Sequence, residues 1–317
     1  MRRFTLLLAA ALAAALTVVG GVPLSQAAER GGPTRVRVLV VTMFGGETAP
    51  WLKNRSLPIA VTVDGVPDPL HCDRAGLCVV TTGQGKANTA ATMTAVMTSR
   101  RLNLRGAYFI TAGIAGTSPK TGTLGFAAWA HYVVDYDLGH HLPPEEALSH
   151  PYGFVQLGNV GTNVFQLDDK LVDTAYRLTK DMVLTDTPTS AAERAHYPGQ
   201  AGTLPKVAVC DTVTGDNWWA GKTLSDKAQY ITGLWTKGKG TYCTTQMEDN
   251  ATAAVLARFG RLDHYLNLRT ASNFDQPWPG QTLEQHLSSN SGAFGTSTQN
   301  AYLVASKVAD HLLRRVH

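Results

Sequence analysis

The sequence predicts an α/β fold: a mostly parallel sheet with helices covering both of its faces. Three observations carry that expectation. Several runs of apolar and β-branched residues show no polar alternation, which is how strands buried on both faces read. These runs alternate with stretches of helical pattern, the order expected of parallel strands joined by crossover helices. With 317 residues, 44% hydrophobic and only 16% charged, the chain has the apolar material for a substantial core, in one large domain or two small ones.

Arg35–Thr42 (RVRVLVVT) is the first such run, and it stops at Gly45-Gly46. Leu77–Thr81 (LCVVT) leads through Gly83-Gln84-Gly85 into a helix rich in Ala, Thr and Met over Ala87–Arg100. Ala107–Thr111 (AYFIT) leads into Ala112-Gly113-Ile114-Ala115-Gly116. Lys206–Cys210 (KVAVC) runs into Asp211–Trp219, and Tyr265–Thr270 into Ser272-Asn273. Ligands of such sheets bind beyond the carboxyl ends of the strands, and each of these turns lies at one. Two stretches depart from the plain layout. Tyr136–Tyr152, rich in His, Pro and acids, reads as a loop over one face, and Asn217–Thr241, with three Trp and four Lys, as a second excursion.

Net charge is +4 and the basic residues are scattered. The one tight group, Arg100, Arg101 and Arg105, stands where a helix ends, a position that suits cations, so nucleic acid is not an expected partner. Residues 1–27 read as an export signal. Arg2 and Arg3 precede an apolar run from Leu6 to Val19, and Ser25-Gln26-Ala27 offers small residues for cleavage after Ala27. Beyond it no apolar run approaches the length of a membrane span, so a secreted or envelope protein free in water is expected. Export into an oxidising compartment makes the four cysteines candidates for two disulfides. Three pairings exist. Cys72 with Cys78 closes a short loop and leaves Cys210 with Cys243; a four-thiolate zinc site lacks the CxxC spacing.

Few stretches carry chemistry by themselves. TTGQGKANTAA has glycines before a helix, but no GxxxxGK[ST] is present and Asn88 stands at the third glycine of GxGxxG. A tight strand-to-helix turn accounts for it. His140, His141, Glu145 and Glu146 are separated by two prolines and read as solvated loop residues rather than metal ligands. No GxSxG elbow marks a serine hydrolase. QMEDNA, residues 246–251, opens an Ala/Val/Leu helix. Thr244 or Thr245 could cap it, and carboxylates in a first turn suit the positive end of the helix dipole, so Glu248 has a structural as well as a functional reading.

Taken in order, TTGQGKANTAA, ITAGIAGTSPKTGTLG, VTGDNWW, QMEDNATA and RTASNFD resemble the nucleoside phosphorylase and nucleosidase superfamily. Within it the chain is most similar to the purine nucleoside permeases, and the resemblance spans nearly all of the mature chain. It implies a single large domain over residues 28–317, with a mixed, mostly parallel central sheet flanked by helices, and no metal or organic cofactor. It also implies a purine nucleoside as partner and leaves homo-oligomerisation open.

The resemblance implies roles position by position. Met247 would pack on the ribose and Glu248 would accept hydrogen bonds from its 2′- and 3′-hydroxyls. Gly113, Ala115 and Gly116 would line the base with backbone groups. Trp218, or else Trp219, would stack beneath the purine. Arg269 would stand near the sugar and its attacking partner. Asn273 would face purine N7, where an amide can hydrogen-bond the departing base but cannot protonate it, with Asp275 as fallback acid. Glu47 falls where nucleosidases of the superfamily keep a water-activating glutamate. No arginine lies in GGETAP or TGQGKAN to gather phosphate, although Arg55 and Lys86 are near in sequence. The expected activity is therefore hydrolysis of a purine nucleoside to base and ribose. Phosphorolysis is the alternative enzyme, and a non-catalytic nucleoside-binding component of uptake the alternative class.

Overall fold

A computed structural model of the chain describes residues 32–315; the predicted export signal lies outside them. The five predicted strands all form. Val38–Thr42 (β1) is buried along its whole length and feeds the helix Gly45–Asn54 (α1). Leu77–Thr81 (β2) feeds Lys86–Thr98 (α2), with Gly85 between them at a φ of 87°, a conformation that glycine adopts without strain. Tyr108–Thr117 (β3) is ten residues long, so the stretch containing Gly113 and Gly116 is strand rather than turn. The Lys206–Cys210 run becomes two strands, Val207–Val209 and Asp211–Thr214 (β4), because the chain changes neighbours at Cys210. Tyr242–Gln246 (β5) precedes the helix Asp249–Arg258 (α3), and Tyr265–Phe274 (β6) again outruns its predicted end.

These strands join one twelve-stranded mixed sheet. At its centre β2, β1, β3 and β6 run parallel, as both-face burial predicts. Antiparallel strands are added at the margins, and β5 pairs antiparallel with the end of β3. The register places the site. β3 pairs with β1 only over Tyr108–Thr111 and with β5 only at Gly116 and Thr117, whereas β6 follows it throughout. Between those two partners one edge of β3 is open at Ile114. Backbone groups left unpaired in a buried place must find other partners. The partners found there are the side chains of Glu47 and Arg269.

The expectation of an irregular excursion over Asn217–Thr241 is corrected. Most of it is the helix Lys222–Trp235, whose Ala228 and Ile231 are fully buried against Val213 and Tyr242. Apolar residues at helical spacing outweigh the impression made by three tryptophans. Tyr136–Tyr152 remains a loop apart from a two-residue strand at His140–His141 and one short 3₁₀ turn. Phe294–Arg315 (α4) packs on α1 and on β6, and Trp51 of α1 meets Tyr302 of α4 edge-on at 5.1 Å. Both disulfides form, Cys72–Cys78 across an antiparallel pair and Cys210–Cys243 between the start of β4 and β5.

Candidate active site

A cavity of about 260 Å³ opens where β3 parts from β1. Its walls come from the carboxyl ends of β1, β2, β5 and β6, and from the open segment of β3. Of the residues predicted from sequence, Glu47, Ala115, Gly116, Trp218, Met247, Glu248, Arg269 and Asn273 all line it. They come from five separate stretches of chain, so the convergence is a property of the sheet.

At one end lies a buried ionic cluster. Glu47, in the first turn of α1, folds back to accept the Met43 N–H at 2.7 Å, and its other oxygen accepts the Ile114 N–H at 2.7 Å. It thus satisfies the donor left by the parting of β3 from β1. Burial pushes its pKa up to about 7, against the opposing pull of the Arg269 charge and these two N–H bonds. Arg269 satisfies the matching acceptor by donating to the Ile114 carbonyl at 2.8 Å. It also donates Nε–H and Nη2–H to the two oxygens of Asp249 at 2.9 and 2.7 Å, and Nη2–H to Glu248 at 3.0 Å. Burial disfavours the guanidinium, but the charges of Asp249 and Glu248 more than offset it and raise its pKa. The cluster explains Gly113. A Cβ there would lie 2.2 Å from Met43 Cε, 2.7 Å from Glu47 and 2.8 Å from Arg269. Gly113 supports the cluster from behind rather than lining the cavity.

Glu248 does not start its helix. It occupies the N-cap position of α3, yet its side chain makes no cap bond. The Gln246 side-chain oxygen does that work, accepting the N–H groups of Glu248 and Asp249 at 2.7 and 2.9 Å. The Glu248 carboxylate instead accepts the Gly85 N–H at 3.0 Å and faces the cavity.

The other end is looser. Asn273 lies just past a register shift in β6; its amide donates to the Phe274 carbonyl and its oxygen accepts the Ser272 hydroxyl. Trp218 stands at the rim with 54% of its surface exposed, whereas Trp219 is buried and stacks on Tyr136 at 5.3 Å, so only Trp218 faces the cavity. Asp275 is not brought into the cavity. It is fully buried behind β6, where its carboxylate accepts the Tyr242 hydroxyl at 2.6 Å and burial raises its pKa to about 6. Sequence reasoning missed Phe44 and Phe294, whose rings meet 6.1 Å apart at the mouth, and Asp249, the main partner of Arg269. The acidic pair in QMEDNA was the only available signal for Asp249.

Cations that could hold a phosphate are committed elsewhere. Arg55 pairs with Asp310 at 2.7 Å, and Lys86 with Asp135 and Asp137 at 3.1 and 2.8 Å. The amides at the start of α2, a place where anions bind readily, point at the protein's own carboxylates: Gly85 N–H at Glu248 and Lys86 N–H at Asp216. His141 and Glu145 do not share a helix; His141 contacts Lys227 and the Asp137 carbonyl instead.

The family model described as purine nucleoside permease matches residues 35–316. The chain belongs to the purine nucleoside permease family. Among curated relatives, a purine nucleoside permease of Candida albicans is 32% identical over 305 residues, covering 88% of this chain and 75% of its own. A probable purine nucleoside permease of Schizosaccharomyces pombe is 29% identical over 309 residues, covering 87% and 89%. Solved structures share the fold at lower identity. The 5′-methylthioadenosine/S-adenosylhomocysteine nucleosidase of Neisseria meningitidis superposes with a TM-score of 0.57 at 17% identity, over 88% of this chain and 99% of that one. The futalosine hydrolase of Helicobacter pylori gives 0.56 at 16%, over 87% and 98%. This member of the permease family thus shares the nucleoside phosphorylase-like fold of these nucleosidases, and among its described residues no helix is long and apolar enough to cross a membrane.

Proposed function

We propose that this permease-family protein is an exported purine nucleoside hydrolase, cleaving the N-ribosyl bond to free base and ribose. The observation that carries the reading is Glu47, a buried carboxylate with a pKa near 7 at the wall of the cavity, beside an arginine already neutralised by other acids. A general base works best when its pKa lies near the working pH. In this reading Met247 packs on the ribose and Glu248 accepts its 2′- and 3′-hydroxyls, while Trp218 stacks on the base and Asn273 holds N7. Glu47 takes a proton from water as its oxygen bonds to C1′. The C1′–N9 pair leaves with the base, which takes its proton from solvent because Asn273 has none to give. Positive charge develops on the sugar, and the fixed carboxylate of Glu248 is favourable there.

Hydrolysis is preferred to phosphorolysis because Arg269 is the one basic side chain lining the cavity among the described residues, and Asp249 and Glu248 occupy it. The relatives' permease names favour a second reading, nucleoside binding for uptake without cleavage. Two disulfides support export, which would place the protein outside the cell or in its envelope. Chromatography of inosine and adenosine incubations, with and without phosphate, tests all of this. Base release independent of phosphate is expected. Strict dependence on phosphate would make the protein a phosphorylase, and tight binding without release would make it a binding component.

A further inference from the structure

Glu248 is anchored on both oxygens: one takes the Arg269 bond, and the other accepts the Gly85 N–H at 3.0 Å. Gly85 has a positive φ and no side chain to pack, so the peptide planes on either side of it turn easily unless other groups hold them. Glu248 holds the first plane. The second is held by Asp216, which accepts the Lys86 backbone N–H at 2.7 Å; it lies just past the end of β4 and does not line the cavity. A Cβ at Gly85 would lie 3.3 Å from the same carboxylate oxygen. Asp216 is itself fixed. Its own N–H donates to Asp137 at 2.9 Å, and Asp137 accepts the Lys86 ammonium at 2.8 Å. That ammonium also pairs with the buried Asp135 at 3.1 Å. Lys86, Asp216 and Asp137 therefore close a ring that runs from the Lys86 main chain to the Lys86 side chain.

We propose that this ring, through Asp216, positions the Gly85 N–H and so sets the Glu248 carboxylate for the ribose hydroxyls. The assignment rests on the nucleoside reading of the cavity, in which Glu248 accepts the 2′- and 3′-hydroxyls. Asp216 touches no substrate atom in that reading; it is a positioning residue that acts through Gly85. A carboxylate serves two adjacent hydroxyls only when its plane is fixed, and Glu248 has one anchor on each oxygen to fix it. With Asp216 removed, the Gly85–Lys86 peptide turns more freely and the Gly85 anchor loosens, while the Arg269 anchor stays. A purely structural role for Asp216 would be to cap α2, whose N-cap residue Gly85 has no side chain to do so. Loss of a cap lowers stability but treats every nucleoside alike, so substrate selectivity separates the two roles.

The test compares base release from inosine and 2′,3′-dideoxyinosine by the full-length mature protein and its Asp216→Ala and Asp216→Asn variants. Both substrates carry the same base, so any displacement of Trp218, two residues from Asp216, cancels in the ratio of their kcat/KM values. Asp216→Ala should lower kcat/KM for inosine by about two- to tenfold, the value of one hydrogen bond, and leave 2′,3′-dideoxyinosine near the parent. Asp216→Asn, which keeps an oxygen for the Lys86 N–H, should restore most of the ratio. In a Glu248→Gln background, Asp216→Ala should leave the ratio unchanged, because the carboxylate it positions is gone. Equal losses on both substrates, a ratio equal to the parent's, or an undiminished effect in the Glu248→Gln background would overturn the assignment. If the parent releases no base, the hydrolase reading fails by itself, and the same comparisons are read from calorimetric affinities. A parent that treats the two nucleosides alike would overturn the ribose role of Glu248 and the positioning role with it.

Discussion

The two ends of the cavity are built on opposite principles. At the sugar end, Glu47, Glu248, Asp249 and Arg269 are nearly inaccessible to water and hold one another through charge-assisted bonds and the open edge of β3. At the base end, Trp218 is half exposed and Asn273 bonds only to its own neighbours in sequence. In the proposed reading, the difference follows the chemistry. Stabilising charge that develops at C1′ requires groups fixed before reaction, in a dry environment where their interactions are strong. Recognising a base requires only a few well-placed contacts, which can be altered without disturbing the fold. On that reading, rigid chemistry and adjustable recognition are separated along one cavity.

The largest expected effect breaks the rigid end. Glu47→Gln should lower kcat by about a hundred- to ten-thousandfold, the usual span for a lost general base, with nucleoside affinity near the parent's. A parent-like kcat would reject the hydrolytic mechanism. The same residue carries a stability cost with a definite sign. Its pKa is about 7 in the fold against an ordinary 4.5, so the folded state favours the protonated acid. That contribution is fully present below pH 4.5 and is lost as pH rises through 7. Relative to the parent, the Gln variant should gain up to about 3 kcal/mol between pH 4 and pH 8 in denaturant titrations. A flat difference would show that Glu47 titrates normally.

A smaller effect is expected at Glu248, which in the proposed reading binds rather than reacts. Glu248→Gln should cost about ten- to a hundredfold in kcat/KM for ribonucleosides, the value of a charge-assisted hydrogen bond. It should matter little for 2′,3′-dideoxynucleosides, which have no hydroxyls to hold. Equal losses on both substrates would move Glu248 from the sugar to a purely structural role. The smallest effect belongs to the adjustable end. Trp218→Ala should raise KM by about two- to tenfold, consistent with one aromatic stacking contact, and leave the unfolding midpoint unchanged. A large loss of stability would mean that Trp218 is a packing residue and that the two ends share one structural role.

How legible the site was in the sequence divides in a similar way. The strands and the turns at their ends were readable, because unbroken apolar runs and glycines are local signals. β3 and β6 run past their predicted ends because the glycines and small residues that read as turns, Gly113, Gly116 and Ser272 among them, are held in strand by their pairing partners. Glu248 could be singled out, but its environment could not. That Gln246 caps α3, or that Asp249 clasps Arg269 from twenty residues away, depends on which strands adjoin across the sheet. Phe294 lies in a stretch with no signal of its own and reaches the cavity only through tertiary packing. Asp275 illustrates the converse: two residues beyond Asn273 in the chain, it is turned toward Tyr242 instead of the cavity.

The cap supplied by Gln246 has a practical consequence. The side chain that starts α3 and the side chain proposed to meet the ligand are neighbours in sequence but separate in duty. Exchange at position 248, for residues suited to other sugars, would therefore leave the cap of the helix behind it in place and give up instead the bonds to Arg269 and Gly85. Gln246, two positions earlier, offers no such licence. A selection for new sugars would profitably randomise the first and leave the second alone.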